Sequence, residues 1–174
     1  MPDKSDSSVL HLVTGSDDRL DVSSRTSTRE YYNNRDKEKL FTFLSRVDAL
    51  ANEYVIYIKN THATGTLFIS NITFGTTSNQ EFLIHKVTGT PGGTTITPRS
   101  RNYAETNTCS GTFYGGAKVT GLTSSWEAEA IRVPANDSKI WHNSGGIILN
   151  NGEALAVQVV SAGNASVTVL GYCE

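Results

Sequence analysis

The chain has 174 residues, enough for one domain with a sizeable core, or one domain plus an arm. Its formal net charge is -2, which argues against nucleic acid or an anionic membrane surface as partner. Charged residues make up only 18%, and Thr, Ser, Asn and Gly fill the gap, a mix that suits strands, turns and uncharged wet faces.

Residues 1–28 are polar and broken, apart from the five-residue apolar run 9–13, which is too short to fold alone. We expect an extended arm that orders only against the body or a neighbouring chain. No apolar h-region follows Met1, so no secretory leader is expected, and no run approaches the roughly 18 apolar residues of a membrane span. Arg19, Arg25 and Arg29 are the arm's candidate contacts with an acidic protein surface. The interleaved Asp17, Asp18, Asp21 and Glu30 fit a solvated arm equally well.

The body, residues 29–174, reads as a series of strands. Residues 40–45 put Phe41 and Phe43 on one face. Residues 54–59 are apolar on both faces, as in a central strand. Residues 66–74 are expected to pair back on them. Their apolar phase shifts after Ile69, which suggests a β-bulge near Ser70 and Asn71. Residues 81–87 form another strand. The Gly, Thr and Pro-rich stretch 88–98 is expected to be a long excursion with little sheet in it, and Gly115-Gly116 a turn. Residues 127–130 are the best helical scrap, and very short. The last thirty residues alternate most clearly: Leu155, Val157 and Val159, then Val167 and Val169. With Ala162-Gly163-Asn164 between them, these two runs predict an antiparallel hairpin. Without an internal repeat, the fold class expected is an all-β antiparallel sandwich.

Chemistry is sparse. The histidines, His11, His62, His85 and His142, show no ligand spacing, and no metal or cofactor is expected. His85 reads as a wet-face strand residue. No Gly-x-Ser-x-Gly is present, and residues 89–93 lack the ending of a phosphate loop. Glu127 and Glu129 read as a solvated face rather than a facing glycosidase pair. No catalytic residue is assigned. Cys109 and Cys173 are expected as two reduced thiols in a protein made in a cytoplasm, with a single bridge as the alternative. Recognition is expected on the loops between residues 88 and 125, with Arg99, Arg101, Tyr103 and Trp126 as candidate contacts and Phe113 and Tyr114 nearby.

Several stretches together resemble small virion-associated proteins of tailed bacteriophages. They are Asp18-Arg19-Leu20-Asp21-Val22, Arg29-Glu30-Tyr31-Tyr32, Tyr54-Val55-Ile56-Tyr57-Ile58-Lys59-Asn60-Thr61, Thr88-Gly89-Thr90-Pro91-Gly92-Gly93 and Leu149-Asn150-Asn151-Gly152-Glu153. The resemblance covers most of the chain from about residue 18, and its motifs are turns and strands. It implies a jelly roll or related sandwich and a capsid decoration (cement) protein on the virion surface. It also implies trimers, with the major capsid protein as partner. An arm of this length, fully extended, spans up to roughly 90 Å at about 3.3 Å per residue, enough to cross a capsomer seam. The alternative is a receptor- or glycan-binding head or tail appendage. An enzyme acting on polysaccharide is a third, weaker reading.

Overall fold

The computed structural model describes residues 39–101 and 108–173. Among them there are nine strands and no helix. The strands are β1 (Leu40–Ala49), β2 (Glu53–Asn60), β3 (Leu67–Thr76), β4 (Gln80–Gly92), β5 (Arg99–Ser100), β6 (Gly111–Val133), β7 (Asp137–Leu149), β8 (Ala154–Val159) and β9 (Gly163–Cys173). The expected arm, residues 1–28, lies outside the described residues.

Every paired neighbour is antiparallel, and two sheets face each other. One has the order β5-β1-β9-β3-β7. The other, β2-β6-β4-β8, closes on itself because β8 pairs with both β2 and β4 while the long β6 does the same. The eight long strands thus fall in the orders 1-9-3-7 and 2-8-4-6, which is consistent with a jelly roll.

Most consecutive strands therefore cross from one sheet to the other, and this overturns the hairpin expected at the C-terminus. β8 pairs with β2 and β4, whereas β9 pairs with β1 and β3. Leu155, Val157 and Val159 meet Val167 and Val169 face to face across the core, not edge to edge. Alternation reports which face of a strand is buried; it does not name the neighbour. The crossing is fixed by Gln80, whose side-chain amide donates to the Ser161 carbonyl at 2.7 Å and accepts from the Ser161 N–H at 2.9 Å. For the same reason β2 and β3 do not pair. Asn60 holds that crossing by donating to Gly65 and Leu149 carbonyls at 2.8 and 2.9 Å.

Other expectations hold. Phe41 and Phe43 are both buried in the main core, and Phe43 packs on Phe113 with ring centroids 4.9 Å apart. The register of β3 shifts between Ile69 and Asn71, so that Leu67 and Ile69 before the bulge and Ile72 and Phe74 after it all reach the core. β2 is covered on both faces: Ile56 and Ile58 enter the main core, and Tyr57 joins a second cluster with Val87, Val119, Ala154 and Ala156.

The segment 88–98 carries more sheet than its composition suggested. β4 continues to Gly92, pairing Thr88 with Thr123 and Gly89 with Leu122. Threonine tolerates a pleated, half-wet surface. Two glycines at positive φ, Gly89 (112°) and Gly121 (74°), absorb the bend where the strands approach. A Cβ on Gly121 would sit 2.2 Å from the Thr90 carbonyl oxygen. Gly115-Gly116 is not a turn either; β6 continues through it, with Gly116 at φ 70° and a register shift against β2 between Gly115 and Val119. Residues 127–130 are strand, not helix.

Cys109 and Cys173 form a disulfide with their Cα atoms 5.9 Å apart, so the expectation of two free thiols is corrected. The bond ties the segment entering β6, in one sheet, to the end of β9 in the other.

Candidate binding groove

β6 is 23 residues long and changes partner midway. Gly111 to Val119 pair with β2, and Thr120 to Val133 pair with β4. Among the described residues no strand pairs with the other edge of that second part, and residues 123–130 are all exposed. β7, an edge strand of the facing sheet, runs nearby. Between them the sandwich stands open as a groove of about 360 Å³.

Its floor is buried core: Ile84 and Leu155 from one sheet and Leu149 from the other. Its walls are Trp126 from β6 and Trp141, Ile147 and Ile148 from β7. Trp126 is 64% exposed and Ile148 48%, whereas Trp141 is 9%. Its acidic and lysine side chains are Glu129, Lys86 and Glu153, and His85 lines it as well. The Trp141 indole N–H donates to one carboxylate oxygen of Glu129, a bond that bridges the two sheets.

Two register shifts build this arrangement. Ile84 faces Glu129 but His85 faces Glu127, which leaves Ala128 as the extra residue. Lys86 then faces Trp126 and Val87 faces Ser124, with Ser125 as the second extra residue. In a regular strand Glu127 and Glu129 would share a face. The bulge separates them, so Glu129 enters the groove on the Ile84 face while Glu127 lies on the His85 face. Both are exposed, as expected, but they do not share one face. The same bulge puts Trp126 and Glu129, three residues apart, into one groove.

Lys86 Nζ lies 2.6 Å from Glu153 Oε1. The other oxygen of Glu153 accepts from the backbone N–H and side-chain amide of Asn150, each at 3.0 Å, and so closes the β7–β8 turn. The Lys86 hydrogen bond, then the Asn150 N–H, hold the Glu153 carboxyl below the ordinary glutamate range against the opposing effect of burial.

His85 is 5% exposed rather than a wet-face residue. Gln158 Nε2 donates to the Asn52 carbonyl at 2.9 Å, which turns Gln158 Oε1 toward His85 Nε2 at 3.2 Å. Nε2 therefore carries a hydrogen, and Nδ1 is hydrogen-bonded with the Ser124 hydroxyl at 2.9 Å. With both nitrogens engaged and the Tyr54 ring edge-on at 5.7 Å, His85 knits β4, β6 and β8 together. Among the described residues no group of three or more His, Cys, Asp or Glu could hold a metal ion.

The structure does not bring the other sequence candidates to this groove. Arg99 and Arg101 are exposed, but Arg99 pairs with Thr42 and the Arg101 N–H donates to the Leu40 carbonyl at 2.9 Å. They lie at the β5 edge of the five-stranded sheet, and β7 forms the opposite edge. Phe113 is core, and Tyr114 packs edge-on to Tyr57. Tyr103, Arg19, Arg25 and Arg29 lie outside the described residues. Trp126 alone of the named candidates lines the groove. Its companions Lys86, Glu129, Trp141 and Ile148 were missed because they come from three strands and meet only through bulges that leave no mark in the sequence. No protein-family model matches the chain, and no curated protein matches it.

Proposed function

We propose that the chain is a structural protein of a bacteriophage virion, a capsid decoration protein that stabilises the head by bridging capsomers. It acts as a homotrimer on the major capsid protein, and its work is adhesion rather than turnover. The observation that carries this reading is the division of the body into a tightly packed sandwich, cross-linked between sheets by Cys109–Cys173, and a flank with exposed Trp126, Ile140 and Ile148 on β6 and β7. A packed double sheet resists deformation, and exposed large apolar groups such as Trp126 and Ile148, which line one groove, are what an adhesive face presents. The disulfide suits service outside a reducing cytoplasm. The resemblance to small virion proteins supplies the setting. The test is to strip the protein from purified particles and add it back. Stripped particles should release their DNA at lower temperature, and re-addition should restore the original value. Unchanged heat resistance after stripping would remove the cementing role.

One observation favours a second reading, a receptor- or glycan-binding appendage: the Trp126 indole stands largely bare over a groove that also carries a carboxylate and an ammonium group. Adsorption of the isolated protein to host cells tests it.

A further inference from the structure

We propose that the groove between β6 and β7 is a saccharide-binding subsite selective for short neutral or amino sugars, with Trp126 as its stacking platform. The proposal rests on the second reading above and gives that reading a place and a ligand class.

The Trp126 indole, 64% exposed on its strand, leaves a large apolar plane in water. The face of a pyranose ring is an apolar patch of C–H groups ringed by hydroxyls that both donate and accept. Such a ligand needs a flat apolar plane with an acceptor and a donor close by. The groove holds all three on one side. Glu129 uses one oxygen on Trp141 and, among the described residues, has the other available to accept a hydroxyl. Lys86 makes one hydrogen bond to Glu153 and carries two further N–H donors. The bond from Trp141 also fixes the Glu129 carboxylate, so the acceptor is oriented before any ligand arrives.

Charge narrows the ligand. Lys86 and Glu153 neutralise each other, and Glu129 leaves the groove with one net negative charge. An acidic sugar or a phosphate would meet repulsion, while a neutral or amino sugar would not. A wholly apolar peptide side chain is disfavoured for a different reason. It would dehydrate the Lys86–Glu153 pair and the free oxygen of Glu129 without replacing their hydrogen bonds. Sugar hydroxyls replace them. The volume, about 360 Å³, lies at the small end of ligand pockets and fits a short saccharide.

The experiment uses the full chain on a printed array of bacterial surface glycans. Titration with the free oligosaccharide of the best hit follows, read by tryptophan emission. The chain has two tryptophans, and comparison with Trp126→Ala separates the Trp126 signal from that of Trp141, which also lines the groove. Wild-type protein should bind neutral or amino sugars, with a shift in emission. Trp126→Ala should weaken binding about tenfold or more and abolish the shift. Glu129→Gln, which can still accept from Trp141, should weaken it several-fold. Leu50→Ala, on the exposed β1–β2 turn, should bind as wild type does. Three results overturn the proposal. Glycan binding that Trp126→Ala leaves intact would keep the second reading but move the site. Host-cell adsorption that survives periodate oxidation of the cell-surface sugars would keep a receptor role but deny the saccharide. Loss of particle attachment in Trp126→Ala, with no glycan bound by wild type, would assign the groove to a protein contact.

Discussion

The two parts of β6 share one strand and one pair of sheets, yet they differ in almost every physical respect. In the first part Phe113, Gly115 and Val119 are buried, Lys118 is tied to Glu53, and the strand is entered through a disulfide. In the second part residues 123–130 are exposed, two bulges between Ser124 and Glu129 scramble the alternation, and one edge is unpaired among the described residues. The difference teaches that a strand whose inner face stays covered makes a wall even where its register slips, as it does between Gly115 and Val119, whereas a bulged strand with an uncovered edge makes a site. The extra residues at Ser125 and Ala128 aim an indole and a carboxylate into the same groove. A long exposed edge is otherwise an invitation to uncontrolled pairing, and bulges with an inward charge such as Glu129 blunt it.

The largest effect that should separate the two parts is core truncation. Phe113→Ala removes a buried ring packed on Phe43 and should cost about 3–5 kcal/mol of unfolding free energy in denaturant titration. A loss below about 1 kcal/mol would mean that the first part of β6 is not the wall described. Next comes the cross-sheet bond. Replacing both Cys109 and Cys173 by Ser closes no loop in the unfolded chain and should cost about 2–4 kcal/mol, read as a lower thermal midpoint. Added reductant should bring the wild-type midpoint down toward that of the variant.

How much of this contrast was legible in the sequence depends on the range of the information. Phase within a strand is local, and it placed Phe41 and Phe43, the double-sided burial of β2, and the bulge in β3. Pairing is not local. The C-terminal runs looked like a hairpin because each alternates and the link is short, yet the link spans the sandwich. The fold class survived this error because face-to-face and edge-to-edge strands bury the same side chains. The groove was least legible. Trp126 could be named as an aromatic candidate, but Trp141, Glu129 and Lys86 join it only after the bulges at residues 125 and 128 are in place. Arg99 and Arg101, grouped with it by nearness in sequence, lie at the opposite edge of the five-stranded sheet.

A smaller effect concerns pH. Lys118 Nζ lies 2.7 Å from Glu53 Oε1, and the Leu50 N–H donates to Oε2 at 2.9 Å. These two bonds, the Lys118 one first, hold the Glu53 carboxyl below its ordinary value of 4.5 although burial pushes the other way. Folding therefore favours the carboxylate. Its contribution to stability is complete above about 4.5, declines as pH falls toward the lower folded value, and is absent below that. Thermal midpoints measured down the acid limb should fall less steeply in Glu53→Gln than in the wild type. An identical slope would remove the tie from the account. The smallest effect belongs to the open part: Trp126→Ala should change unfolding free energy by less than about 0.5 kcal/mol, because the ring is mostly in water already. A loss of several kcal/mol would show Trp126 to be core.

Amide hydrogen exchange, read residue by residue along β6, tests the division most directly. Amides paired with β2 between Gly111 and Val119 should exchange only with global unfolding, while those between Ser124 and Ala130 that point away from β4 should exchange orders of magnitude faster. Uniform protection along the whole strand would contradict the account, because it would mean that the edge beside the groove is already covered.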